Sequence, residues 1–237
     1  MATWRGYRVA MADRTALITG GTGGLGGAVT AAFVAAGWRA VVPVRKDPPD
    51  GGDGAIYVTA DLTDPTAVEA AVAVAASEPA APLRAVVNLV GGFAAGGLVH
   101  ETPIEDFERI MALNLRPTYL VTQAALPHLI ETGDGAIVCV SSRAAVSPFP
   151  GAVGYITAKA AVLAFASAVA VEYRAKGVRC NTVLPSVIDT PTNRAAQPDA
   201  DTSRWVRPED IATVIRFLAS HESAPTSGAT IPVYGRA

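Results

Sequence analysis

The sequence predicts an α/β fold in which a parallel seven-stranded sheet carries helices on both faces. Three observations support this prediction. Short apolar runs rich in β-branched residues alternate with longer helical patterns along all 237 residues. Half of the residues are hydrophobic, so a chain of this length can bury a large core. A glycine-rich turn at residues 20–26 separates the first strand pattern from the first helix pattern.

The predicted elements alternate in chain order. Strands are expected at residues 15–19, 39–44, 55–59, 84–89, 135–141, 178–184 and 229–233. Helices are expected at residues 24–36, 64–77, 104–130, 155–176 and 207–220. Residues 48–54, rich in Pro and Gly, are expected to form a surface loop because the alternation resumes after them. We therefore expect a flexible extension over residues 1–12 and one domain over residues 13–237.

The glycine-rich turn has the arrangement that binds the pyrophosphate of a dinucleotide. Glycines permit a tight turn, admit phosphate close to backbone N–H groups, and let the next helix point its positive end at the phosphates. Gly21, Gly23 and Gly26 fit the common spacing, and Gly20, Gly24 and Gly26 fit a second one. The turn therefore indicates a Rossmann-type doubly wound domain. A flexible loop of small residues is the alternative.

Tyr155 and Lys159 lie four residues apart in a predicted helix, so their side chains share one face. A phenol with an ordinary pKa of about 10 exchanges protons more readily when an ammonium stabilises its phenolate. Ser142 precedes Tyr155 by thirteen residues and can donate a hydrogen bond to a substrate oxygen. Ser141 faces the opposite side of its strand and is expected to be structural.

These motifs resemble, in order and spacing, the short-chain dehydrogenase/reductases over almost the whole chain. Residues 20–26 match the cofactor turn of that family, and residues 88–91 match the end of its fourth strand. The positions that match its catalytic residues are Asn114, Ser142, Tyr155 and Lys159. The resemblance implies an enzyme that moves a hydride between a nicotinamide and a carbonyl or secondary alcohol.

The resemblance also implies a role for each residue. Tyr155 is the general acid in reduction and the base in oxidation, Lys159 also holds the ribose, and Asn114 steadies a water in the proton relay. Asn114 lies between two leucines, so a buried structural amide is the alternative. The expected cofactor contacts are Gly20, Thr22, Gly24, Leu25, Gly26, Arg45, Asp61, Leu62, Asn88, Gly91, Tyr155, Lys159, Pro185, Ile188 and Thr190.

The end of the second strand favours NADP over NAD as the cofactor. An acidic residue there would bind the ribose diol of NAD, whereas an arginine accommodates the 2′-phosphate of NADP. This strand ends with Arg45 and Lys46, both able to meet a phosphate, and Asp47 follows and can pair with either. Solvated charges at a strand end are the alternative.

The segment expected to cover the substrate is short. It runs from Thr190 to Arg207, and with Trp205 and residues 91–94 it locally resembles dihydropteridine reductases. Ser186 follows Pro185 where the family usually has glycine. We keep two alternatives: reduction of a quinonoid or imine-like heterocycle, and a dinucleotide-binding sensor without turnover.

Composition points to a small-molecule partner and a cytoplasmic location. A net charge of −2 with a pI near 5.9 gives no footprint for nucleic acid or an anionic membrane. No uncharged apolar run approaches the ~18 residues of a membrane span, and no secretory signal is evident. Cys139 and Cys180 are expected to be buried free thiols. The three histidines lack metal-ligand spacing, so no metal is predicted.

The catalytic helix predicts self-association. Residues 158–171 are apolar almost all round, whereas a helix on an exposed sheet face keeps a polar stripe. Its outer face is therefore expected to be buried as well. By resemblance, this helix and the helix at residues 104–130 pack across subunits of a homotetramer, or of a homodimer.

Overall fold

The computed structural model describes residues 12–46 and 53–236. One parallel sheet contains the strands β1 (Thr15–Thr19), β2 (Arg39–Val44), β3 (Ile56–Thr59), β4 (Leu83–Asn88), β5 (Gly135–Val140), β6 (Val178–Pro185) and β7 (Thr230–Val233). Their order is β3-β2-β1-β4-β5-β6-β7, and every pairing is parallel. The predicted extension lies outside the described residues except for Ala12, and Asp47 lies outside them as well.

The helices cover both faces of this sheet, which confirms the predicted Rossmann-type doubly wound fold. They are α1 (Gly26–Ala35), α2 (Pro65–Ala76), α3 (Ile104–Thr132), α4 (Val153–Tyr173), α5 (Pro191–Ala196) and α6 (Pro208–Ala219). Helices α1 and α6 pack together over one face, where the core includes Ile18, Phe33 and Ile215. Helices α2, α3 and α4 cover the other face around Leu17, Leu129 and further apolar side chains.

All seven predicted strands and five predicted helices are present, with differences at their ends. Helix α1 begins at Gly26 because residues 20–23 close a turn in which the Gly23 N–H donates to the Gly20 carbonyl at 3.0 Å. The short helix α5 was not predicted. Pro191 is its first residue, and the Thr190 hydroxyl accepts from the Asn193 N–H at 3.2 Å.

Helix α4 is apolar but carries a buried lysine. Together with the turn that follows it, the helix spans Val153–Lys176 and is long and apolar enough to cross a membrane by length and composition. Its buried residues, among them Ala158, Val162 and Ala166, lie against β6 and α3, as in the core helix of a folded domain. The opposite side exposes Val171, which is 71% exposed.

The strand order places a crevice at the carboxyl edge of the sheet. The chain proceeds from β1 outward to β2 and β3, then returns to β4 on the other side of β1. At such a switch point the loops after adjacent strands diverge and leave a crevice above the strand ends, where ligands bind in doubly wound sheets. Here the crevice lies above β1 and β4 and extends over β5 and β6.

Candidate active site

The glycine-rich turn joins β1 to α1 with close backbone packing. A Cβ at Gly26 would overlap the carbonyl oxygen of Gly20, so only glycine fits this first helical position. Thr22 is exposed above the turn and Leu25 is half-buried. Among the described residues no side chain caps α1, and its first turn contains no acidic residue. The positive helix end is therefore available to a phosphate, and the turn fits a dinucleotide.

Arg45, the first of two basic residues after β2, lies near Asp61, the acidic residue after β3. Arg45 and Lys46 are exposed at the strand end. Asp61 accepts hydrogen bonds from the Thr63 N–H at 2.9 Å and the Thr63 hydroxyl at 2.8 Å. These bonds lower the pKa of Asp61, and the charge of Arg45 adds a smaller effect in the same direction. Leu62 is buried beneath this corner.

The loop after β6 lies over the glycine-rich turn. A side chain at Gly24 would meet the Thr190 methyl at 2.8 Å, which puts Thr190 directly against the turn. Pro185 ends β6 and is buried, and Ile188 is half-buried beside Val206, with which it forms an isolated bridge. Thr190 therefore lies against the turn, and Pro185 and Ile188 lie at the same edge of the sheet.

Asn88 lies under the crevice rather than in it. Its amide donates to the Thr122 hydroxyl at 3.1 Å and contacts the Cys139 sulfur at 3.8 Å, and the residue is only 3% exposed. Among the described residues its side-chain oxygen has no hydrogen-bond partner. Asn88 therefore supports the end of β4 from within the core. Cys139 and Cys180 are buried free thiols, as predicted.

Tyr155, Ser142 and Lys159 come together beside the ends of β5 and β4. Tyr155 is half-buried on the first turn of α4, and Ser142 follows β5 in extended conformation. The Lys159 ammonium is buried, lies 5.9 Å from the centre of the Tyr155 ring, and donates to the Val140 carbonyl at 3.2 Å. The Ser141 hydroxyl instead donates to the Lys159 carbonyl at 2.7 Å, a structural contact.

Burial dominates the electrostatics of these groups. It raises the pKa of Tyr155, and a hydrogen bond with the Ser142 side chain partly opposes the rise. Burial also lowers the pKa of Lys159 to about 8, although the nearby Cys139 favours its charged form. We expected Lys159 to lower the pKa of Tyr155, but in this structure its ammonium is directed to a carbonyl and desolvation of the phenol prevails.

Asn114 uses its side chain to hold the loop after β4. Its amide donates to the Gly92 carbonyl at 3.0 Å and to the Ile110 carbonyl at 2.9 Å, while its oxygen accepts from the Gly92 N–H at 3.2 Å. Gly91 fits between this side chain and Lys159, because a Cβ there would lie 2.5 Å from the Asn114 oxygen and 3.0 Å from the lysine nitrogen. Asn114 therefore lies near Gly91 and Lys159, and its buried side-chain amide is already hydrogen-bonded to backbone groups.

Two aromatic residues that were not among the predicted site residues lie near the substrate side of the site. The Phe93 ring lies 5.0 Å from the Tyr155 ring, and the Phe149 ring lies 6.5 Å from that of Phe93. The available signal for Phe93 was its position soon after the fourth strand, whose end faces the crevice. A separate cavity of about 310 Å³ lies between residues 94–97 and α3. Tyr155 lines it, but Ser142 and Lys159 do not.

The comparison with known protein families identifies this arrangement. The sequence profile described as short chain dehydrogenase matches residues 14–201. The chain belongs to the short-chain dehydrogenase family. The chain is similar to the 2-(R)-hydroxypropyl-CoM dehydrogenase of Xanthobacter autotrophicus, which is 34% identical over 94% of this chain and 98% of the relative. The 2,5-dichloro-2,5-cyclohexadiene-1,4-diol dehydrogenase of Sphingobium indicum is 33% identical over 95% of this chain and 96% of the relative.

Two solved structures have a similar fold. A short-chain type dehydrogenase/reductase from Mycobacterium ulcerans has a TM-score of 0.87 and 29% identity, over 95% of this chain and 90% of the other. ElxO, solved with NADP bound, has a TM-score of 0.86 and 26% identity, over 94% of this chain and 98% of the other. This short-chain dehydrogenase is therefore an NAD(P)-dependent oxidoreductase that acts on a small molecule. The relatives do not favour the heterocycle-reductase and sensor alternatives.

Proposed function

We propose that this oxidoreductase prefers NADP(H) and interconverts a ketone and a secondary alcohol, with Tyr155 exchanging the proton. The observation that most strongly supports proton exchange by Tyr155 is the convergence of Tyr155, Ser142 and Lys159 beside the ends of β4 and β5. The relatives are named for a hydroxypropyl compound and a cyclic diol, which agrees with a substrate that carries a hydroxyl. When bound, the nicotinamide supplies or accepts the hydride.

In the proposed reaction, Tyr155 exchanges the proton. A phenol is protonated near neutrality, and because burial raises the pKa of Tyr155 further, the groups around it must stabilise the phenolate as the proton passes to the carbonyl oxygen. Ser142 donates a hydrogen bond to the same oxygen while negative charge develops there. In the oxidative direction Tyr155 takes the alcohol proton back, and the buried Lys159 ammonium stabilises the phenolate that forms during turnover.

The remaining site residues hold the cofactor and the proton relay. Lys159 binds the ribose hydroxyls, and Asn114 steadies a relay water near Gly91. The proposed cofactor contacts are the residues predicted from the sequence in the glycine-rich turn and in the loops after β2, β3, β4 and β6. Asn88 supports the end of β4 from within the core. The common position of these contacts at the carboxyl edge of the sheet supports this assignment.

Replacement of Tyr155 by Phe tests the proton-transfer role. Loss of one hydroxyl should reduce kcat with any accepted ketone by roughly a thousandfold while cofactor affinity stays nearly unchanged. Tyr173→Phe, a matched change at the other end of the same helix, should leave kcat unaltered. Full activity in Tyr155→Phe would refute the role.

Arg45 carries the preference for NADP. Its guanidinium can bind the 2′-phosphate, since no carboxylate ends β2. Arg45→Ala should weaken NADPH binding by roughly tenfold and leave NADH binding nearly unchanged, measured by fluorescence titration. Equal loss for both nucleotides, or tighter NADH binding by the wild type, would refute the preference.

The chain is further proposed to be a cytoplasmic homotetramer, or a homodimer, of one domain over residues 13–237. Support for assembly comes from the outer faces of α3 and α4, where Tyr119 is 48% exposed and Val171 is 71% exposed. The buried free thiols agree with a reducing compartment. Light scattering at micromolar concentration should give four subunits, and a monomer would exclude this assembly.

A further inference from the structure

We propose that the active site selects substrates that carry a neutral ring, aromatic or cycloaliphatic, next to the reacting carbon. The feature responsible is an aromatic wall, which we define as Phe93 and Phe149. This inference rests on the proposed function, because it assigns the substrate class of the same site. It does not depend on the choice between NADP and NAD.

The aromatic wall is in direct contact with the phenol that exchanges the proton. Phe93 meets Tyr155 edge to face, with ring centres 5.0 Å apart and an interplanar angle of 78°. Phe149 lies behind it at 6.5 Å and 36°. A carbonyl oxygen within hydrogen-bond reach of Tyr155 carries its substituents only a few bonds away, so a substituent on the Phe93 side of the phenol would contact the Phe93 ring.

Both rings of the aromatic wall are exposed to solvent, and a ligand that covered them would bury this apolar surface. Phe93 is 64% exposed and Phe149 is 44% exposed, although phenylalanine is among the residues most often fully buried. Val146, on the same loop as Phe149, is 55% exposed. An exposed apolar patch that borders reacting groups is typical of a ligand site. The six-residue helix α5 gives the segment after β6 little bulk with which to cover it.

Backbone contacts hold the two loops of the wall in place. Asn114 binds both the N–H and the carbonyl of Gly92, the residue before Phe93. The Gly96 N–H donates to the Gly151 carbonyl at 2.8 Å and so joins the loop after β4 to the loop after β5. A wall that is ordered before binding loses less conformational freedom when a rigid ring docks on it.

The charge pattern of the loops restricts the ring to neutral groups. Residues 89–98 and 144–153 contain no charged side chain, and Arg143, which lies earlier in the loop after β5, lies over the Tyr234 ring at 5.1 Å. A charged substituent placed against the wall would lose water without gaining an ionic partner from these loops, whereas an apolar ring gains contact area and an edge-to-face partner. The wall therefore favours phenyl or cyclohexyl groups over both carboxylates and short alkyl chains.

The test compares three methyl ketones with NADPH: acetophenone, cyclohexyl methyl ketone and 2-butanone. Wild-type kcat/KM should be roughly tenfold or more higher for either ring ketone than for 2-butanone. Phe93→Ala should remove most of that ratio, chiefly through KM, and Phe149→Ala should remove part of it. Phe217→Ala is the control, since Phe217 is 40% exposed on α6, and it should keep the ratio.

A binding measurement keeps the inference testable if the chosen ketones are not reduced. Saturation-transfer NMR on the complex with NADPH should show benzamide binding more tightly than propanamide, and Phe93→Ala should abolish the difference. Turnover without a ring preference, or equal binding of the two amides, would overturn the aromatic wall but not the reductase function. Ring-selective binding with no ketone or alcohol turnover would support the wall and refute the proposed chemistry.

Discussion

The two halves of the candidate site are built differently. The cofactor half begins with a single stretch of chain, the turn between β1 and α1, in which backbone packs on backbone as Gly26 does on Gly20. The substrate half brings side chains together from the loop after β4, from α3, from the loop after β5 and from α4. The first half depends on the absence of side chains at a few positions, whereas the second depends on buried polar groups and exposed rings. Substitutions should therefore affect them in different ways.

The largest effect on cofactor binding is expected where the cofactor half admits no side chain. Gly26→Ala would push a methyl group into the Gly20 carbonyl, so the turn must open and the phosphate site is lost. We expect NADPH affinity to fall by roughly a hundredfold or more in a fluorescence titration. Gly27→Ala is the matched control, because a Cβ there meets nothing within 4 Å, and it should bind NADPH normally. Equal behaviour of the two variants would show that the turn is not as tight as described.

The next effect concerns the buried charge of the substrate half. Lys159 has a pKa of about 8 in the folded protein against an ordinary value of 10.5, a difference worth on the order of 3 kcal/mol. Because the unfolded chain binds this proton more tightly, burial of the ammonium costs stability in full below about pH 8, and the cost disappears as pH rises to 10.5. Lys159→Met should therefore gain stability relative to wild type as pH is lowered through this window. Denaturant unfolding of the apoprotein at several pH values measures it.

The neighbouring Cys139 offers a check on this prediction. Cys139 favours the charged form of Lys159, so Cys139→Ala should move the same transition to lower pH. If the stability difference between wild type and Lys159→Met does not change with pH, the lysine is not desolvated as the structure indicates.

A moderate effect is expected at Asn114, which joins α3 to the loop after β4. Asn114→Ala leaves the Gly92 N–H and carbonyl and the Ile110 carbonyl without their partner, at a cost of about 2 kcal/mol in unfolding free energy. Loss of the relay water should lower kcat for every ketone, and loosening of the Phe93 loop should in addition lower the ratio of kcat/KM for ring ketones to that for 2-butanone, while NADPH binding changes little. Asn193→Ala, which removes one bond to the Ile188 carbonyl, is the control and should keep ring selectivity.

The smallest effect is a shift in pH dependence. The Ser142 hydrogen bond lowers the pKa of Tyr155, so its removal in Ser142→Ala raises that pKa further. Alcohol oxidation needs the ionised phenol, and the rising limb of its kcat/KM profile should move to higher pH in the variant. A rate loss without any movement of the limb would mean that Ser142 acts on the substrate oxygen alone.

The same contrast explains what the sequence could predict. Gly20, Gly24 and Gly26 are recognisable because the turn is local, and alternating apolar runs locate every strand because a parallel sheet is buried on both faces. Tyr155 and Lys159 also lie on one helix in the structure, as their spacing predicts.

Contacts between distant segments were beyond sequence reasoning. Nothing in the residues around Lys159 shows that its ammonium reaches the Val140 carbonyl, or that burial outweighs its effect on Tyr155. The pairing of Asn114 with Gly92 and the contact of Phe93 with Tyr155 likewise depend on how loops from different strands meet. Helix α5 was missed because six residues are too few for a periodic pattern.

The most direct test of the proton-transfer assignment separates binding from chemistry in one variant. Tyr155→Phe is mixed with NADPH and then with a ketone that the wild type reduces, while stopped-flow fluorescence and absorbance follow binding and hydride transfer. The predicted result is NADPH affinity within about threefold of wild type together with no loss of reduced nicotinamide during many wild-type turnovers. Oxidation of NADPH at the wild-type rate would contradict the assignment of Tyr155 as the proton donor.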